Sequence, residues 1–534
     1  MLVRRFTRRY ATAALSHEQR IYTSPYPPLE IPQRTTWDLV HEVAQAKPDA
    51  TAFICGVSHA TMSFGEFDQA VQKTATSLAQ RGVTKGTIVL TNLINCMEYP
   101  ILFHALTSLG AILSPASPTF SSSELIRQLV ASNASYLVTH AIAEEAAIEA
   151  ANAVSIAPER RFVVGQSTSS LEPFHTLQQV SSIDVPKPEI NHTQDGVQLS
   201  FANLAVNVLQ WNTVDPFIAP ALGLLPYNHI YGTTLMNTAL FCGQPQVMLP
   251  RFDPATFLDV LQRYNIVKCH IAPPIAGFLA KHPLVDEYDL SATKILISAA
   301  APMGEELERA LTDRLGMKIK QGFGMTELSP CANYAHDDNM KSSSTGQMVP
   351  NTELRVVCPT TGKDLPPNTT GELWYRGPQV MLGYLNNPEA NEATLTSCGF
   401  LKTGDLGYID EDGHVFVVDR LKELIKYKGH QVAPAELEDV IIKHPKVFDV
   451  ACIRGYDEDG EEVPKACVVV RPGHELAAED LMAYVDKKVS PFKKVRQVVF
   501  VDAIPKSPSG KILRRELQLV HGKKPNEAYT LSLL

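Results

Sequence analysis

"TAFICGVSHATMSFGEFDQAVQKTATSLAQRGVTKGTIVLTN", residues 51–92, contains the alternation that decides the fold. An apolar run at each end predicts a buried strand, and the stretch between them has apolar residues at helical spacing. Ser63 and Glu66 form the capping box that begins such a helix. The alternation continues to about residue 164 and resumes from about residue 222 to residue 300. Strands that alternate with helices predict a parallel, doubly wound α/β sheet.

The pattern changes after about residue 346. The segments "TELRVV", "GELWYRG" and "GYIDEDGHVFVVD" have the length and the turn residues of short antiparallel strands. Beyond Asp419 a compact arrangement of helices and strands follows, which predicts a small α+β domain. The sequence therefore predicts a large N-terminal domain with a β-rich subdomain at residues 21–419 and a small mobile C-terminal domain at residues 420–534.

Composition excludes several classes of protein. The chain has 534 residues, of which 45% are hydrophobic and 20% are charged, and these fractions are typical of a globular protein. The formal net charge of −9 argues against nucleic-acid binding as the main function. The sequence contains no run of 18 apolar residues, so it predicts no membrane span. The nine cysteines form no C-x-x-C pair, which favours reduced thiols without a structural zinc site.

The first twenty residues differ from the rest. They contain five arginines and no acidic residue before Glu18. Such a segment resembles a mitochondrial transit peptide, so residues 1–20 are predicted to be one, with a disordered basic tail of a cytoplasmic protein as the alternative. The C-terminal "LSLL" differs from the peroxisomal S-K-L address.

Six motifs occur in a fixed order along the chain. They are "LPYNHIYG", "QGFGMTE" (321–327), "GELWYRGPQVMLGYLNNPEA" (371–390), "LKTGDLGYIDEDG" (401–413), "DRLKELIKYKGHQVAPAELE" (419–438) and "PKSPSGKILRR" (505–515). Together they resemble the adenylate-forming superfamily, and most of all the 4-coumarate–CoA ligases and related acyl-CoA synthetases. The resemblance runs from about residue 24 to residue 517.

The resemblance implies an AMP-forming acid–thiol ligase that uses ATP, CoA and Mg²⁺. A small-molecule aryl or fatty carboxylate attacks the α-phosphate of ATP, which gives acyl-AMP and pyrophosphate, and the thiol of CoA then takes the acyl group. The C-terminal domain rotates between the two half-reactions. Neither the acyl substrate nor the oligomeric state can be read from the sequence.

The resemblance also implies the nucleotide contacts. Asp405 would accept both ribose hydroxyls, because a carboxylate is a forked acceptor, and Arg420 would join it. Thr326 would bond the α-phosphate, and Glu327 would hold Mg²⁺, a hard cation that takes carboxylate and phosphate oxygens. The remaining implied contacts of the nucleotide or adenylate are Ala300, Gln321, Gly322, Lys422 and Lys426.

The C-terminal domain would supply the catalytic lysine. Lys511, in "SGK", would stabilise the negative charge that gathers at the α-phosphate in the transition state. On the other face of this domain, Lys428 and Gly429 resemble the CoA-binding turn, and Gln431 resembles a neighbouring catalytic residue. Residues 419–422 are the implied hinge.

Three positions concern the acyl and CoA sides of the site. His229, in "NHIYG", would position the acyl carboxylate and gate the acyl pocket. The chain reads "AAAP" where the family has "GAAP", so that Ala299 replaces a glycine and narrows the predicted pocket. Arg251 stands where many relatives have a lysine on the CoA side.

One family element is missing from the sequence. Before "GVQL" the family has a buried strand and a Ser/Thr/Gly loop that wraps the β- and γ-phosphates of ATP. Here "PKPEINHTQ" runs directly into Asp195, which stands where the lysine of the loop would be. The loss of three hydrogen bonds to charged phosphates corresponds to about 5–9 kcal/mol, or about four to six decades in rate.

The gap leaves alternatives open. One is an exon lost by splicing or by an error in the gene structure, and the other is a non-catalytic relative that binds a nucleotide or an acyl-CoA. An adenylating enzyme with a different acceptor is disfavoured by the match at Lys428 and Gly429. For the fold, we expect residues 186–201 to be irregular, or "GVQLSF" to move into the vacated position of the parallel sheet.

Overall fold

A computed structural model of the protein describes residues 20–185, 196–299, 303, 305–428, 430–458, 460–506 and 511–522. Residues 1–19 of the predicted transit peptide, together with Asp195, Ala300 and Gly429, lie outside these ranges. The mitochondrial location therefore stays a prediction. Within the described ranges, no helix combines the length and the apolar character needed to cross a membrane.

The helices and strands follow one another in the order that the sequence predicts. The helices are α1 (Thr36–Ala46), α2 (Phe64–Gln80), α3 (Glu98–Leu109), α4 (Ser122–Ser132), α5 (Glu144–Ala153), α6 (Phe201–Val214), α7 (Ile230–Phe241), α8 (Pro254–Arg263), α9 (Pro273–Lys281), α10 (Glu305–Leu315), α11 (Pro388–Thr394), α12 (Pro434–Ile441), α13 (Ala478–Asp486) and α14 (Arg514–His521). The strands of the first half are β1 (Tyr22–Thr23), β2 (Thr51–Cys55), β3 (Thr61–Ser63), β4 (Ile88–Asn92), β5 (Ile112–Pro115), β6 (Tyr136–His140), β7 (Arg161–Val164), β8 (Glu172–Pro173), β9 (Val197–Gln198), β10 (Ala221–Gly223), β11 (Gln246–Met248) and β12 (Lys268–Ile271). Those of the second half are β13 (Ile295–Ser298), β14 (Lys318–Gln321), β15 (Phe323–Gly324), β16 (Cys331–Tyr334), β17 (Gln347–Met348), β18 (Glu353–Val357), β19 (Gly371–Arg376), β20 (Gly383–Tyr384), β21 (Leu401–Ile409), β22 (Val415–Arg420), β23 (Ile425–Tyr427), β24 (His430–Val432), β25 (Val447–Tyr456), β26 (Glu462–Val470) and β27 (Gln497–Phe500).

The N-terminal alternation forms a parallel sheet with the strand order β5-β4-β6-β7-β8. Helix α2 begins at the predicted capping box, in which Ser63 Oγ accepts from the Glu66 N–H at 3.1 Å and Glu66 Oε2 accepts from the Ser63 N–H at 2.7 Å. Helix α3 ends at Gly110, whose φ of 65° is left-handed and favours glycine. The prediction of a doubly wound sheet is confirmed.

Two further sheets surround the region that the motifs point to. In one, β10, β11 and β2 are parallel and β3 joins β2 in the antiparallel direction. In the other, β12, β13 and β14 are parallel. The chain leaves β13 at Ala299 and leaves β14 into the "GFGMTE" turn, so both strands end at the same edge of this sheet.

The segment that follows the missing loop does not enter a parallel sheet. Strand β9 pairs antiparallel with β20, with Gln198 opposite Gly383 and Val197 opposite Tyr384. Two residues later Ser200 caps α6 by accepting from the Asn203 N–H at 3.1 Å. The expectation that "GVQLSF" moves into the vacated position of the parallel sheet is therefore wrong. The described part of the segment expected to be irregular contains one two-residue strand, β9, and the first residue of α6. Residues 186–195 lie outside the described ranges.

The β-rich subdomain is an antiparallel sheet with the order β1-β18-β19-β21-β22. Side chains alternate along β19, where Leu373 and Tyr375 are buried while Glu372 and Trp374 are only half-buried. This alternation fits a sheet that has one face on the core.

The C-terminal part has a core of its own. The order β25-β26-β27 forms its sheet, β23 and β24 form a hairpin, and α12 and α13 cover one face. Helix α14 covers the other face through Leu517, which lies in a cluster with Ile453 and Ile504. Fold class, order of elements and small C-terminal domain all match the sequence prediction.

Candidate active site

One cavity of about 660 Å³ collects most of the predicted site residues. It lies between the edge of the β12-β13-β14 sheet, the β21–β22 pair and the segment that precedes α14. The predicted residues that line it are His229, Gly322, Thr326, Glu327, Asp405, Arg420, Lys422 and Lys511.

Asp405 and Arg420 face each other across β21 and β22. They are register partners, and Arg420 Nε lies 3.3 Å from Asp405 Oδ1. Gly404 has a φ of 72°, a left-handed value that a residue with a side chain adopts under strain, and this explains the glycine of the "TGD" motif. Asp405 is 5% exposed, and burial raises the pKa of its carboxyl to about 6, against the lowering effect of Arg420 and Lys511.

Lys511 reaches the cavity from the C-terminal part. Burial lowers the pKa of its ammonium group, and repulsion by Arg420 adds to this, while Glu423 and Asp405 act in the opposite direction. Its position brings an amine charge close to Asp405 and His229. The side chain therefore joins a site to which the large domain contributes His229, Thr326 and Asp405.

His229 caps the start of α7. Its Nδ1 accepts from the Tyr231 N–H at 3.2 Å, so Nε2 is the ring nitrogen that carries the proton in the neutral form. Burial lowers the pKa of the imidazole, and the nearby Lys511 lowers it further. A neutral imidazole that donates through Nε2 is the result.

Thr326 and Glu327 lie in the turn after β15, and the backbone of this turn is tied to a distant segment. Tyr384 Oη donates to Glu327 Oε1 at 2.8 Å, and the Met381 N–H donates to the Glu327 carbonyl at 2.9 Å. Tyr384 also belongs to the β9–β20 pair. The position of Glu327 is thus linked to the strand that follows the missing loop.

Among the predicted residues whose side chains the structure describes, four do not line this cavity: Arg251, Gln321, Lys426 and Lys428. The side-chain amide of Gln321 bonds the backbone of Met303 instead, through two contacts of 3.2 Å. Lys426 lies in β23, Gln431 lies in β24 with its side chain outside what the structure describes, and Arg251 is exposed before α8. The structure leaves the roles of these residues as predictions.

Lys428 lies at a second cavity, of about 510 Å³, in the C-terminal part. It is a non-glycine residue with a φ of 47°, at the turn of the β23–β24 hairpin. Its neighbours there include Tyr427, Tyr456 and Arg496, and the Arg496 guanidinium lies 4.7 Å from the centre of the Tyr427 ring. Lys428 and Lys511 therefore face different cavities, as expected for a domain that uses two faces.

Sequence reasoning missed several residues that line the larger cavity. Tyr384 stands inside the quoted "LGYLNNPEA" motif, so the sequence indicated that this segment belongs to the site but did not indicate the role of Tyr384. Trp211 lies in the apolar helix α6, where no spacing signal separates a core side from a cavity side. The further missed residues are Tyr231, Tyr334, Glu372, Lys402 and Glu423.

Comparison with known proteins now decides the family. Residues 40–385 match the AMP-binding enzyme family, and residues 436–511 match the AMP-binding enzyme C-terminal domain. The chain belongs to the AMP-binding enzyme family. The first match alone covers more than half of the chain and spans both sides of the missing loop.

Individual members of the AMP-binding enzyme family show the same relationship along the whole chain. Probable 4-coumarate–CoA ligase 1 of Dictyostelium discoideum is 35% identical over 94% of this chain and 98% of that protein. 4-Coumarate–CoA ligase 5 of Oryza sativa subsp. japonica is 36% identical over 94% of this chain and 97% of that protein. Among solved structures, amide bond synthetase of Marinactinospora thermotolerans has a TM-score of 0.81 at 25% identity, over 91% of this chain and 99% of that chain.

Proposed function

We propose that this chain is an AMP-forming acid–thiol ligase of the 4-coumarate–CoA ligase type. It activates a small-molecule carboxylate with ATP as acyl-AMP and then passes the acyl group to CoA. The observation that carries the proposal is the convergence of Lys511, from the C-terminal part, with Asp405, Arg420 and His229 in one cavity.

In the first half-reaction a carboxylate oxygen attacks the α-phosphorus of ATP. The bond from that phosphorus to the bridging oxygen breaks, and pyrophosphate leaves with the electron pair. Lys511 supplies a point charge that stabilises the negative charge that builds up on the α-phosphate. His229 donates from Nε2 and orients the attacking carboxylate. Asp405 and Arg420 hold the ribose, and Thr326 bonds the α-phosphate.

Glu327 is the proposed ligand of Mg²⁺. Proteins hold this cation with one or two carboxylates together with substrate phosphates. Within the described ranges no group of three or more His, Cys, Asp or Glu side chains forms a ready metal site. Glu327 is one of the carboxylates that line the cavity, and it fits a cation that arrives with the nucleotide and shields phosphate charge there.

In the second half-reaction the sulfur of CoA attacks the acyl carbon. The bond from that carbon to the AMP oxygen breaks, AMP leaves, and the thiol proton passes to solvent. Lys428 does not line the cavity that holds Lys511. The C-terminal part must therefore reorient about residues 419–422 before the Lys428 turn can reach the acyl group.

The non-catalytic alternative has less support. Relatives at 35–36% identity over most of the chain are named CoA ligases. An adenylating enzyme with another acceptor is a second candidate, because one similar structure is that of an amide bond synthetase. The acceptor is therefore part of the test.

The test supplies the full chain with ATP, Mg²⁺ and a panel of carboxylic acids, and then with CoA or an amine. Mass spectrometry of acyl-AMP, AMP and the final acyl product reads each step. We expect the acyl thioester with CoA. An amide without any thioester would overturn the assignment of the acceptor, and the absence of acyl-AMP, with supplied acyl-AMP left unused, would overturn the ligase.

A further inference from the structure

Three aromatic side chains line one part of the large cavity. Trp211 of α6, Tyr231 of α7 and Tyr334 of β16 line it, and we call them the aromatic wall. The ring centre of Trp211 lies 4.6 Å from that of Tyr334 and 6.2 Å from that of Tyr231, which it stacks on. The three side chains are buried, with exposures of 3%, 7% and 1% in chain order.

Protein, not solvent, lies behind the aromatic wall. The His270 ring centre is 5.6 Å from that of Trp211, and its Nδ1 lies 2.8 Å from Tyr231 Oη. Phe217 packs on His270 with ring centres 5.8 Å apart. Burial lowers the pKa of His270 to about 3, with Lys320 and Lys268 adding to the effect, so the imidazole is neutral. These neighbours give an acyl chain no passage through the wall.

A cluster of four charges, of which Asp337 is half-buried and the other three are buried, holds the wall in place. Lys320 Nζ lies 2.8 Å from Asp215 Oδ2 and 2.5 Å from Asp337 Oδ1. Lys268 pairs with the same two carboxylates. Lys320 also sits 4.8 Å from the centre of the Tyr334 ring. Two cations balance two carboxylates here, and displacing any one of them would leave a buried charge unpaired.

The distribution of charged side chains distinguishes a polar end of the cavity from the apolar part at the aromatic wall. Asp405, Arg420 and Lys511 form the polar end, which suits a nucleotide. The small or apolar residues Ala299 and Cys331 also line the cavity, and they pack in one cluster with the three side chains of the wall. An acyl group joined to the α-phosphate therefore points at the aromatic wall, because its apolar surface gains most from that environment.

We infer that Trp211 sets the maximum length of the acyl group, so that the substrates are compact aryl or short-chain carboxylates and long fatty acids are excluded. The inference rests on the proposed ligase function. Trp211 is the determining residue because it contacts both tyrosines and has the largest ring of the three. Tyr231 and Tyr334 are fixed from behind by His270 and Lys320.

The test measures binding without turnover. Non-hydrolysable acyl-adenylate analogues, in which a sulfamate replaces the phosphate, are titrated by calorimetry with benzoyl, hexanoyl, dodecanoyl and hexadecanoyl groups. A chain that enters an apolar pocket tightens binding about fourfold per methylene. For the unmodified chain we expect the dodecanoyl and hexadecanoyl analogues to bind no tighter than the hexanoyl analogue.

Truncation of the wall should lengthen the pocket. In Trp211→Ala, and more weakly in Trp211→Leu, we expect the dodecanoyl analogue to bind tighter than in the unmodified chain by about tenfold or more, with benzoyl binding changed by less than about threefold. Phe217→Leu is the matched control, because Phe217 is buried behind the wall and does not line the cavity. It should leave the order of chain lengths unchanged. Trp211→Leu keeps the test available if the alanine variant fails to fold.

Each result separates the two proposals. Affinity that keeps rising with chain length in the unmodified chain would overturn the length limit and leave the ligase intact. The same would follow if both Trp211 variants folded and kept the unmodified order of affinities. If no analogue bound and no acid gave acyl-AMP, the ligase proposal would fall and the length limit with it.

Discussion

The proposed ribose side and the proposed phosphate side of the large cavity are held by secondary structure of very different extent. On the ribose side, Asp405 and Arg420 stand opposite each other on β21 and β22, strands of nine and six residues inside a five-stranded sheet. On the phosphate side, β9 has two residues and pairs with the two-residue β20. Glu327 is linked to this small pair through Tyr384.

The difference shows which half of the site survives the loss of a segment. The register of a sheet sets the ribose side, and that register needs nothing from residues 186–195. The phosphate side needs backbone N–H groups and hydroxyls that approach a triphosphate closely, and "INHTQD" offers one hydroxyl, no glycine and a carboxylate. The chain should therefore hold the AMP moiety far better than it turns over ATP.

The largest expected effect comes from rebuilding the phosphate side. Insertion of a family-type Ser/Thr/Gly loop before Gly196 should raise pyrophosphate release by about four decades or more, because about three charged hydrogen bonds are regained. The rate at which supplied acyl-AMP reacts with CoA should stay unchanged. An insert of the same length made of alternating Ala and Gln is the control, and equal stimulation by it would contradict the comparison.

The next effect separates the two faces of the C-terminal part. In the protein with the inserted loop, Lys511→Ala should slow acyl-AMP formation by about a hundredfold to a thousandfold, since one stabilising charge at the α-phosphate is lost. Stopped reactions with ATP, or with supplied acyl-AMP and CoA, distinguish the two half-reactions. Only the first should be slow.

Two variants check this separation. Lys506→Ala is the matched control, because Lys506 lies near Lys511 in the sequence but pairs with Asp449 at 2.6 Å. Lys428→Ala should show the reverse pattern, with adenylation kept and thioester formation slowed. Equal losses of both half-reactions in Lys511→Ala would refute the two-faced arrangement.

A smaller effect is expected for Asp405→Asn, which should weaken AMP binding but stabilise the protein without nucleotide. AMP binding, measured by calorimetry at pH 7.5, should weaken by about thirtyfold. The free energy of unfolding without nucleotide should rise by about 1–2 kcal/mol, because burial disfavours the charged carboxyl. In the unmodified chain the raised pKa of Asp405, about 6, means that between about pH 4 and pH 6 the folded state keeps a proton that the unfolded state has released.

The raised pKa of Asp405 also determines how stability and AMP binding change with pH. The stability without nucleotide should fall as the pH rises from about 4 to 6, and AMP binding should fall as the pH drops below about 6. Asp412→Asn, at an exposed carboxylate outside the cavity, is the control. A less stable Asp405→Asn protein would show that the carboxylate stabilises the free fold.

The smallest effect concerns what remains of the phosphate side. Tyr384→Phe removes the hydroxyl that donates to Glu327, and we expect the Mg²⁺ concentration for half-maximal acyl-AMP formation to rise about tenfold. Tyr408→Phe is the matched control, because Tyr408 stacks on Phe416 at 4.8 Å and lies outside the cavity. An unchanged Mg²⁺ dependence in Tyr384→Phe would mean that the β9–β20 pair does not support Glu327.

Local signals in the sequence predicted the elements well, and the parts they missed depend on distant contacts. Capping boxes, alternation and turn residues act within a few positions, so α2 and the β21–β22 pair could be placed in advance. The pairing of β9 with β20 joins residues far apart in the chain, and no local signal reports it. Trp211 was missed because α6 is buried on most sides, which hides the side that borders a cavity.

The most direct test of the difference between the ribose side and the phosphate side is the relative affinity of the unmodified chain for AMP and ATP. Calorimetric titrations with each nucleotide, in the presence of Mg²⁺ and again with the inserted loop, isolate what the phosphate side contributes. We predict that the unmodified chain binds ATP no tighter than AMP and that the inserted loop tightens ATP binding alone. If the unmodified chain bound ATP tighter than AMP by about tenfold or more, this prediction would be contradicted.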